Sequence, residues 1–357
     1  MRKHPVNKRN GDDMAASPSR PHGASLRAEA APAAPNEPDS MEAVAVRCPF
    51  CGGEEVARKV EGTERFFGTG GSFDYSVCAA CGSIYLDDAG IDLAPHYPEH
   101  YYSYTGAKRP PLQTAVEDFV VRQRARFVLR LLRKAGTRVD ADARIVDVGS
   151  GAGDLLRGFA AIGYRNVLGV DPFLREGVET GGVAVERRPL KAVANDVRFA
   201  GTAATVMFHH SLEHVFDPAE QLVAAARLLR PGGGIVVRVP VVSYAWERYG
   251  TYWVGFDAPR HVALPTERGM VELAKRLGLK IAAVRYDSTE NQFVVSNAYV
   301  AGRTQLEAFP SCPPRTALRK LVTIPLRLRA AWLNAQKRGD QAAFVLLPAS
   351  EGIKVEP

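Results

Sequence analysis

Hydrophobic and polar positions change their spacing along this chain, and each change marks a different predicted structure. The first 40 residues are rich in Ala, Pro, Ser and charged residues and have almost no large apolar side chains. Because such a segment cannot form a core, residues 1–43 are predicted to be a disordered tail. Residues 114–134 carry apolar side chains at positions 116, 119, 120, 127, 128, 131 and 132, which is the spacing of an amphipathic helix.

Beyond residue 144, short apolar runs alternate with helical patterns. The predicted strands are residues 145–148, 167–170, 183–185, 203–208, 235–239, 281–286 and 342–347. Helices are predicted from about residue 154 and over residues 190–199, 218–229 and 266–277. This alternation predicts an α/β fold with a doubly wound sheet of seven strands. In such sheets ligands bind beyond the carboxyl ends of the strands.

A glycine-rich turn joins the first of these strands to its helix. Gly149, Gly151 and Gly153 permit positive φ angles and allow a ligand to approach the backbone closely. The helix beginning near Asp154 offers free N–H groups at its N-terminus. The spacing is G-x-G-x-G rather than the G-x-G-x-x-G of dinucleotide-binding folds, so the turn alone is weak evidence for a nucleotide.

A carboxylate ends the next apolar run: Asp171 lies 18 residues after Gly153. At the end of a neighbouring strand it is placed to accept hydrogen bonds from two ribose hydroxyls. The alternative interpretation is a helix cap or turn residue before Pro172. Together, the turn and the carboxylate predict a cofactor that contains a nucleoside.

Four of the five cysteines form two C-x-x-C-G turns, at Cys48 and Cys51 and at Cys78 and Cys81. The 26 residues between the turns fit short strands, predicted at residues 54–60 and 72–77, and this spacing is typical of a zinc ribbon. Four thiolates leave no open coordination position, so the predicted zinc is structural. Disulfides are the alternative, which the lack of an export signal disfavours. Cys312 has no predicted role.

Three stretches together resemble class I S-adenosylmethionine (SAM)-dependent methyltransferases: VDVGSGAGDLL at residues 146–156, Asp171, and LLRPGG at residues 228–233. The resemblance implies a Rossmann-like fold with a final antiparallel strand and SAM as the cofactor. The residues it implies for cofactor binding are Asp147, Gly149, Ser150, Gly151, Gly153, Asp171, Pro172 and His209. The cysteine turns and the HYPEHYYSY stretch at residues 96–104 resemble the front end of bacterial methyltransferases of polysaccharide and secondary-metabolite pathways. The tyrosines there, including Tyr97, either line a substrate pocket or pack between module and domain.

The stretch from His209 to Val215 is most similar to the branch that includes the ubiquinone-biosynthesis O-methyltransferases. That branch has Glu-x-x-Glu-His here, and some members bind a divalent metal with these side chains. In this chain His210 replaces the first Glu, followed by Glu213 and His214, which argues against a metal. The favoured interpretation is that His209 and His210 border the cofactor and that Glu213 and His214 shape the pocket floor. An imidazole titrates near neutral pH, so His210 and His214 are candidate bases.

Six aromatic side chains crowd into residues 244–256, and Asp257-Ala-Pro-Arg-His261 follows them. In class I enzymes this connection crosses the mouth of the site, where aromatic side chains exclude water and hold a planar or sugar-like acceptor. His261 is predicted to act as the base or to orient the acceptor; the alternative is a cap for the helix beginning near Thr266. Arg260 is predicted to pair with a carboxylate or phosphate of the substrate.

Length and charge narrow the remaining choices. The 357 residues have a net charge of +7, and no apolar run is long enough to span a membrane. The predicted organisation is a tail (1–43), a cysteine module (44–90), a connector (91–113) and a methyltransferase domain (114–350) with a helical insertion at about 291–335. Residues 316–324 and 326–333 are predicted helices separated by Pro325. They either pack on the core, act as a lid, or contact an anionic membrane peripherally through residues 316–333. Without a secretory signal the chain is predicted to be cytoplasmic.

The leading functional hypothesis is methyl transfer to a small-molecule acceptor, either a sugar, a lipid-linked precursor or a quinone-like compound, with O-methylation favoured. The alternative is an RNA or protein methyltransferase whose zinc ribbon docks a macromolecule. The module has no strongly basic stripe, and no Asn/Asp-Pro-Pro-Tyr/Phe motif follows the fourth strand, so nucleic acid is disfavoured. A scaffold that retains the fold without turnover is a third interpretation, which the intact glycine turn and Asp171 disfavour.

Overall fold

A computed structural model describes residues 47–97, 111–174, 177–180, 183–308 and 322–349, with side chains undescribed for residues 111–115 and 178–180. Several predictions fall outside these residues: the tail, most of the connector with Tyr101, Tyr102 and Tyr104, Cys312, and the helix predicted to begin at residue 316. No helix among the described segments is long and apolar enough to cross a lipid bilayer.

The cysteine module forms a small antiparallel sheet whose fourth strand comes from a much later part of the sequence. Its strands are β1 (Val56–Thr63), β2 (Ser72–Cys78), β3 (Ile84–Leu86) and β10 (Ala263–Leu264), hydrogen-bonded in the order β1-β2-β3-β10. β10 follows His261 by one residue, so the module and the segment that carries this histidine share one sheet. The sequence analysis did not predict this strand.

The main sheet contains the seven predicted strands and one more. They are β4 (Arg144–Val148), β5 (Val167–Val170), β6 (Val178–Thr180), β7 (Val183–Glu186), β8 (Ala203–His209), β9 (Leu229–Pro240), β11 (Leu279–Tyr286) and β12 (Gln341–Pro348). Their order is β11-β12-β9-β8-β4-β5-β7-β6. The five central strands are parallel, and β12 runs antiparallel to both β9 and β11, as the resemblance implied. The additional strand, β6, pairs antiparallel with β7 at the edge.

Helices cover the sheet at the predicted places, with different bounds. They are α1 (Pro111–Lys134), α2 (Asp154–Ala160), α3 (Leu190–Ala194), α4 (Pro218–Leu228), α5 (Tyr244–Tyr249), α6 (Glu267–Arg276), α7 (Asn291–Val300), α8 (Gln305–Ala308) and α9 (Ile324–Ala335). Asp217 caps α4 by accepting a hydrogen bond from Glu220 N, and Thr266 caps α6 by accepting one from Gly269 N. Because Thr266 fills this role, no cap from His261 is needed.

Two predicted bounds were wrong. The helix predicted over residues 190–199 ends at Ala194. The strand predicted to begin at residue 235 already begins at Leu229, and its register with β8 is irregular there, as in a β-bulge. Pro325 lies in the first turn of α9, where the missing N–H of proline costs no helical hydrogen bond. The helix predicted before Pro325 lies almost entirely outside the described residues.

The core lies on both faces of the main sheet. Ile145 and Val146 on β4 are fully buried, and so is Leu132 on α1. An apolar face of α9 is exposed: Ile324, Leu328 and Trp332 are 46%, 68% and 57% exposed. This stripe lies in the segment predicted to contact a membrane, and that contact stays a prediction.

Candidate active site

The glycine turn after β4 adopts the backbone that its sequence predicts. Gly149, Gly151 and Gly153 have φ angles of 68°, 53° and 79°, which L-residues with side chains rarely adopt. A Cβ atom on Gly149 would lie 2.5 Å from the Cβ of Ser211, so a side chain there has no space. Ser211 in turn donates its hydroxyl to Val148 O at 2.6 Å, which ties the loop after β8 to the end of β4.

Asp171 lies at the end of β5 and holds the glycine turn from the other side. Its Oδ2 accepts a hydrogen bond from Gly151 N at 3.0 Å, and its Oδ1 accepts one from Phe173 N at 2.9 Å. Burial raises the pKa of this carboxyl group. Since each carboxylate oxygen has two lone pairs, each can accept a further bond from a ligand hydroxyl. Asp171 therefore stabilises the turn at Pro172, as the alternative interpretation expected, and its oxygens can still bind a ribose.

Two buried polar atoms beside the glycine turn are unsatisfied. Asp147 Oδ1 and Ser150 Oγ have no hydrogen-bond partner within the described part of the chain. Burial and the nearby Asp171 raise the pKa of Asp147 to about 8. Buried polar groups normally have partners, so these two atoms fit a ligand that brings its own donors, and a cationic group would favour the charged form of Asp147.

A cavity of about 770 Å³ extends from this turn across the carboxyl ends of the strands. It is within the range of sites that enclose small molecules. The predicted residues that line it are Asp147, Gly149, Ser150, Gly151, Asp171, Pro172, His209, His210, Glu213, His214 and His261. The structure thus brings together the residues predicted for cofactor binding and for catalysis, except that Gly153 lies behind the turn, with Val183 and Val185 as its nearest side chains.

His210 has both ring nitrogens engaged. It lies in the left-handed region with φ 57°, its Nδ1 is 3.0 Å from Glu213 Oε1, and its Nε2 contacts the Arg238 guanidinium. A guanidinium can only donate, so Nε2 accepts and Nδ1–H donates to the carboxylate. Burial and Arg238 hold the pKa of His210 well below its ordinary value, and the same two causes act on the neighbouring His209.

His214 and His261 face each other with ring centroids 4.7 Å apart. His214 Nδ1 lies 2.8 Å from Arg260 O, and His261 Nδ1 lies 2.8 Å from Gly255 O. Carbonyl oxygens only accept, so both Nδ1 atoms carry hydrogen, and the neutral form of each ring has its lone pair on Nε2. Burial and the adjacent His261 lower the pKa of His214 to about 4. The hydroxyl of Tyr97 lies 2.9 Å from His214 Nδ1, which places this tyrosine in the cavity wall.

Asp257 completes this group, with its Oδ2 3.8 Å from His261 Nε2. Burial raises the pKa of Asp257, but Arg260 and His261 lower it more, so the net direction is down. Asp257 had no role predicted from the sequence; its position three residues before an arginine was the available signal. The possible metal-ligand atoms of Glu213, His214 and His261 also lie within 4.8 Å of one another. The histidine that completes this potential metal-binding group is therefore His261 rather than His210.

Arg260 does not face a substrate, in contrast to its predicted role. Its side chain is fully buried and pairs with Asp257 at 2.5 Å and with Glu64 of the cysteine module at 3.1 Å. It also donates to His96 O at 3.2 Å. Glu64 accepts three further bonds, from Phe67 N and Thr69 N at 2.9 Å and from Thr69 Oγ1 at 3.1 Å. The guanidinium therefore holds the cysteine module against the segment that carries His261.

The four cysteine thiols of the two turns converge. Cys48 and Cys81 have Sγ atoms 3.6 Å apart, Cys51 and Cys78 have theirs 3.5 Å apart, and all four atoms lie within 4.8 Å of one another. Sulfur ligands about 2.3 Å from a tetrahedral zinc ion are separated by roughly 3.8 Å, so the donor set fits zinc. None of these four thiols is in a disulfide.

Residues 120–284 match the sequence model of a family described as "Methyltransferase domain". Among curated relatives, the ubiquinone biosynthesis O-methyltransferase of Cupriavidus pinatubonensis is 30% identical over 159 residues, 41% of this chain and 63% of the relative. The enzyme of the same name from Ralstonia nicotianae is 37% identical over 102 residues, 27% of this chain and 42% of the relative. The chain thus spans about half the length of these relatives.

Among solved structures, a SAM-dependent methyltransferase from Geobacter sulfurreducens in complex with S-adenosyl-L-homocysteine is similar, with a TM-score of 0.38 and 18% identity. The match covers 63% of this chain and 90% of that one. The segment that matches the methyltransferase family contains the glycine turn, Asp171 and the loop after β8.

Proposed function

We propose that this chain, whose residues 120–284 match a methyltransferase domain, transfers the methyl group of SAM to a hydroxyl of a small-molecule acceptor. The observation that carries the proposal is the position of His261, whose ring lines the same cavity as the glycine turn and Asp171 and is anchored through Nδ1. An O-methyltransferase needs these two elements, a cofactor site and a base, in one enclosure.

The cofactor half of the proposal assigns Asp171 to the two ribose hydroxyls and Asp147 and Ser150 to the polar groups of the amino-acid moiety. When bound, SAM supplies a methyl group activated by its sulfonium. The unsatisfied oxygen of Asp147 supports this assignment, because a buried acceptor without a partner gains most from a charged donor. His209 and Pro172 border the same space.

The acceptor half assigns proton removal to His261 Nε2. The Nδ1–H bond to Gly255 O fixes the ring and the tautomer of its neutral form, and the Asp257 carboxylate lies 3.8 Å from Nε2. His214, with a pKa of about 4, is a much weaker proton acceptor at neutral pH, so we assign it to orienting the acceptor. His210 is assigned to holding the loop, since both of its ring nitrogens are engaged.

The cysteine module is proposed to bind one structural zinc ion through Cys48, Cys51, Cys78 and Cys81. Four thiolates close the coordination sphere, so this zinc contributes to folding and not to methyl transfer. The cytoplasmic location and the peripheral membrane contact through residues 316–333 remain predictions.

The test is methyl transfer with the purified protein, methyl-labelled SAM and a bacterial extract separated into small molecules, nucleic acid and protein. We expect label in the small-molecule fraction. His261→Gln is expected to lower kcat by about 10²- to 10⁴-fold, the usual contribution of a general base, with unchanged affinity for S-adenosylhomocysteine. His96→Gln, in a half-buried histidine outside the cavity lining, is the control.

Other outcomes are equally informative. Label in a nuclease- or protease-sensitive precipitate would favour the macromolecular alternative, in which the cysteine module docks RNA or protein. Full activity of His261→Gln would refute the assignment of the base. Failure to bind S-adenosylhomocysteine would favour a scaffold without turnover.

A further inference from the structure

The cavity has a second wall, far from the glycine turn, that is built from uncharged polar side chains. It comprises Thr289, Asn291, Gln292 and Gln341, which we call the amide wall. These residues follow β11 or begin β12, and β12 is the third strand from β4 in the sheet order. At about 4.8 Å per strand, the amide wall lies roughly 14 Å from the glycine turn along the sheet. A cofactor held by β4 and β5 therefore leaves this wall to the acceptor.

One side chain of the amide wall is buried without a full set of partners. Gln292 is 1% exposed; its Nε2 donates to Thr289 O at 3.2 Å, but its Oε1 has no hydrogen-bond partner in the described segments. Glu213, also 1% exposed, lines the same cavity. Its Oε1 accepts a hydrogen bond from His210, and its Oε2 has no hydrogen-bond partner among the described residues. An unsatisfied buried acceptor costs about 1–3 kcal/mol, so such atoms are expected to meet donors when the site is filled.

Both unpartnered atoms are acceptors, which defines the chemistry that would satisfy them. The ligand must present at least two donors, and a neutral hydroxyl suits an amide oxygen. A flat apolar ring with a hydrocarbon tail would leave Gln292 Oε1 and Glu213 Oε2 without donors, and sites built to hydrogen-bond a hydroxyl discriminate strongly against analogues that lack it. We therefore propose that the methyl acceptor is a polyhydroxylated, sugar-like compound, with Gln292 Oε1 accepting a hydrogen bond from one of its hydroxyls. This inference rests on the proposed methyl transfer and narrows its substrate class.

The experiment has two stages. First, label from methyl-labelled SAM is followed into the small-molecule pool of a bacterial extract, which is divided into an aqueous and a solvent-extractable fraction and then hydrolysed in acid. We expect label in aqueous compounds that yield methylated monosaccharides. Label in solvent-extractable aromatic or prenylated compounds would overturn the inference and leave the proposed function intact. Absence of transfer despite S-adenosylhomocysteine binding would overturn both.

Second, the fraction that takes the label is used with Gln292→Met, which keeps the side-chain length and removes the amide. We expect KM for that fraction to rise about tenfold, the loss of one hydrogen bond, with kcat and the affinity for S-adenosylhomocysteine nearly unchanged. Asn297→Leu, in an exposed residue of α7 outside the cavity lining, is the matched control. If Gln292 has only a structural role, Gln292→Met will lower thermal stability and leave KM unchanged. Should that variant not fold, Gln292→Asn, which withdraws the amide by one methylene, is expected to raise KM in the same direction.

Discussion

Replacing Arg260 by Met should strongly destabilise the protein, because two buried carboxylates would lose their shared counter-ion. The guanidinium is fully buried and lies between Glu64, whose side chain is also fully buried, and Asp257, whose side chain is 10% exposed. Removing one partner of a buried ion pair costs about 3–5 kcal/mol, since an uncompensated charge remains. With two carboxylates left, we expect a loss in the free energy of unfolding of at least about 3–5 kcal/mol at neutral pH, a large part of a typical domain's stability.

The pH dependence of this loss separates charge from packing. In the wild type the pKa values of Glu64 and Asp257 are lowered, so the stability they contribute is present above the ordinary carboxyl pKa and disappears as the pH falls through their folded values. Without Arg260, burial raises both pKa values, and protonation at acidic pH relieves the penalty. The difference between wild type and variant is therefore expected to be largest near about pH 8 and to shrink towards about pH 5.

The assay is denaturant unfolding of the zinc-loaded protein at these two pH values, followed by circular dichroism. Arg165→Met is the control, since the ion pair of Arg165 with Asp142 has both side chains 75% exposed and should contribute less than about 1 kcal/mol. A loss for Arg260→Met no larger than that of the control would refute the buried-charge argument. A large loss of equal size at both pH values would assign the effect to packing instead.

Two further predictions concern the cofactor and the metal. Asp171→Ala should weaken S-adenosylhomocysteine binding by about tenfold or more, because charge-assisted hydrogen bonds contribute about 1.5–3 kcal/mol each; unchanged affinity in calorimetry would contradict the ribose assignment. Replacing Cys48 and Cys81 together by Ser should abolish zinc binding measured by metal analysis and lower the melting temperature. A metal-free variant that melts like the wild type would argue against a structural zinc.

Local chemistry explains which parts of the site were predictable from the sequence. The turn after the buried strand β4 requires positive φ angles, and Gly149, Gly151 and Gly153 can adopt them. The parallel order of the strands then placed Asp171 and His261 at the same edge of the sheet, as expected for ligand sites in doubly wound folds. The glycine turn and Asp171 required only the period of the apolar residues and the chemistry of single side chains, whereas the prediction for His261 came from the resemblance to class I methyltransferases.

Features that depend on distant parts of the chain were not predictable in this way. Arg260 and Glu64 are separated by 196 residues, and nothing in either neighbourhood indicates that they pair. β10 has only two residues and is a strand because β3 pairs with it. Gln292 was missed because its importance arises from an oxygen that lacks a partner, a property of the folded cavity rather than of the sequence.

The contacts around His261 indicate what a closed cysteine site could contribute to the proposed methyl transfer. His261 O accepts a hydrogen bond from Tyr75 OH on β2 at 3.1 Å, the residue before it is tied to Glu64, and β10 follows it into the small sheet. Three contacts with the cysteine module thus fix the backbone of the proposed base. A catalytic base must be placed precisely relative to its target, and a structural metal is one of the common ways in which small modules hold their strands. The zinc proposed for the module would therefore act on catalysis through the position of His261, without contacting the substrate.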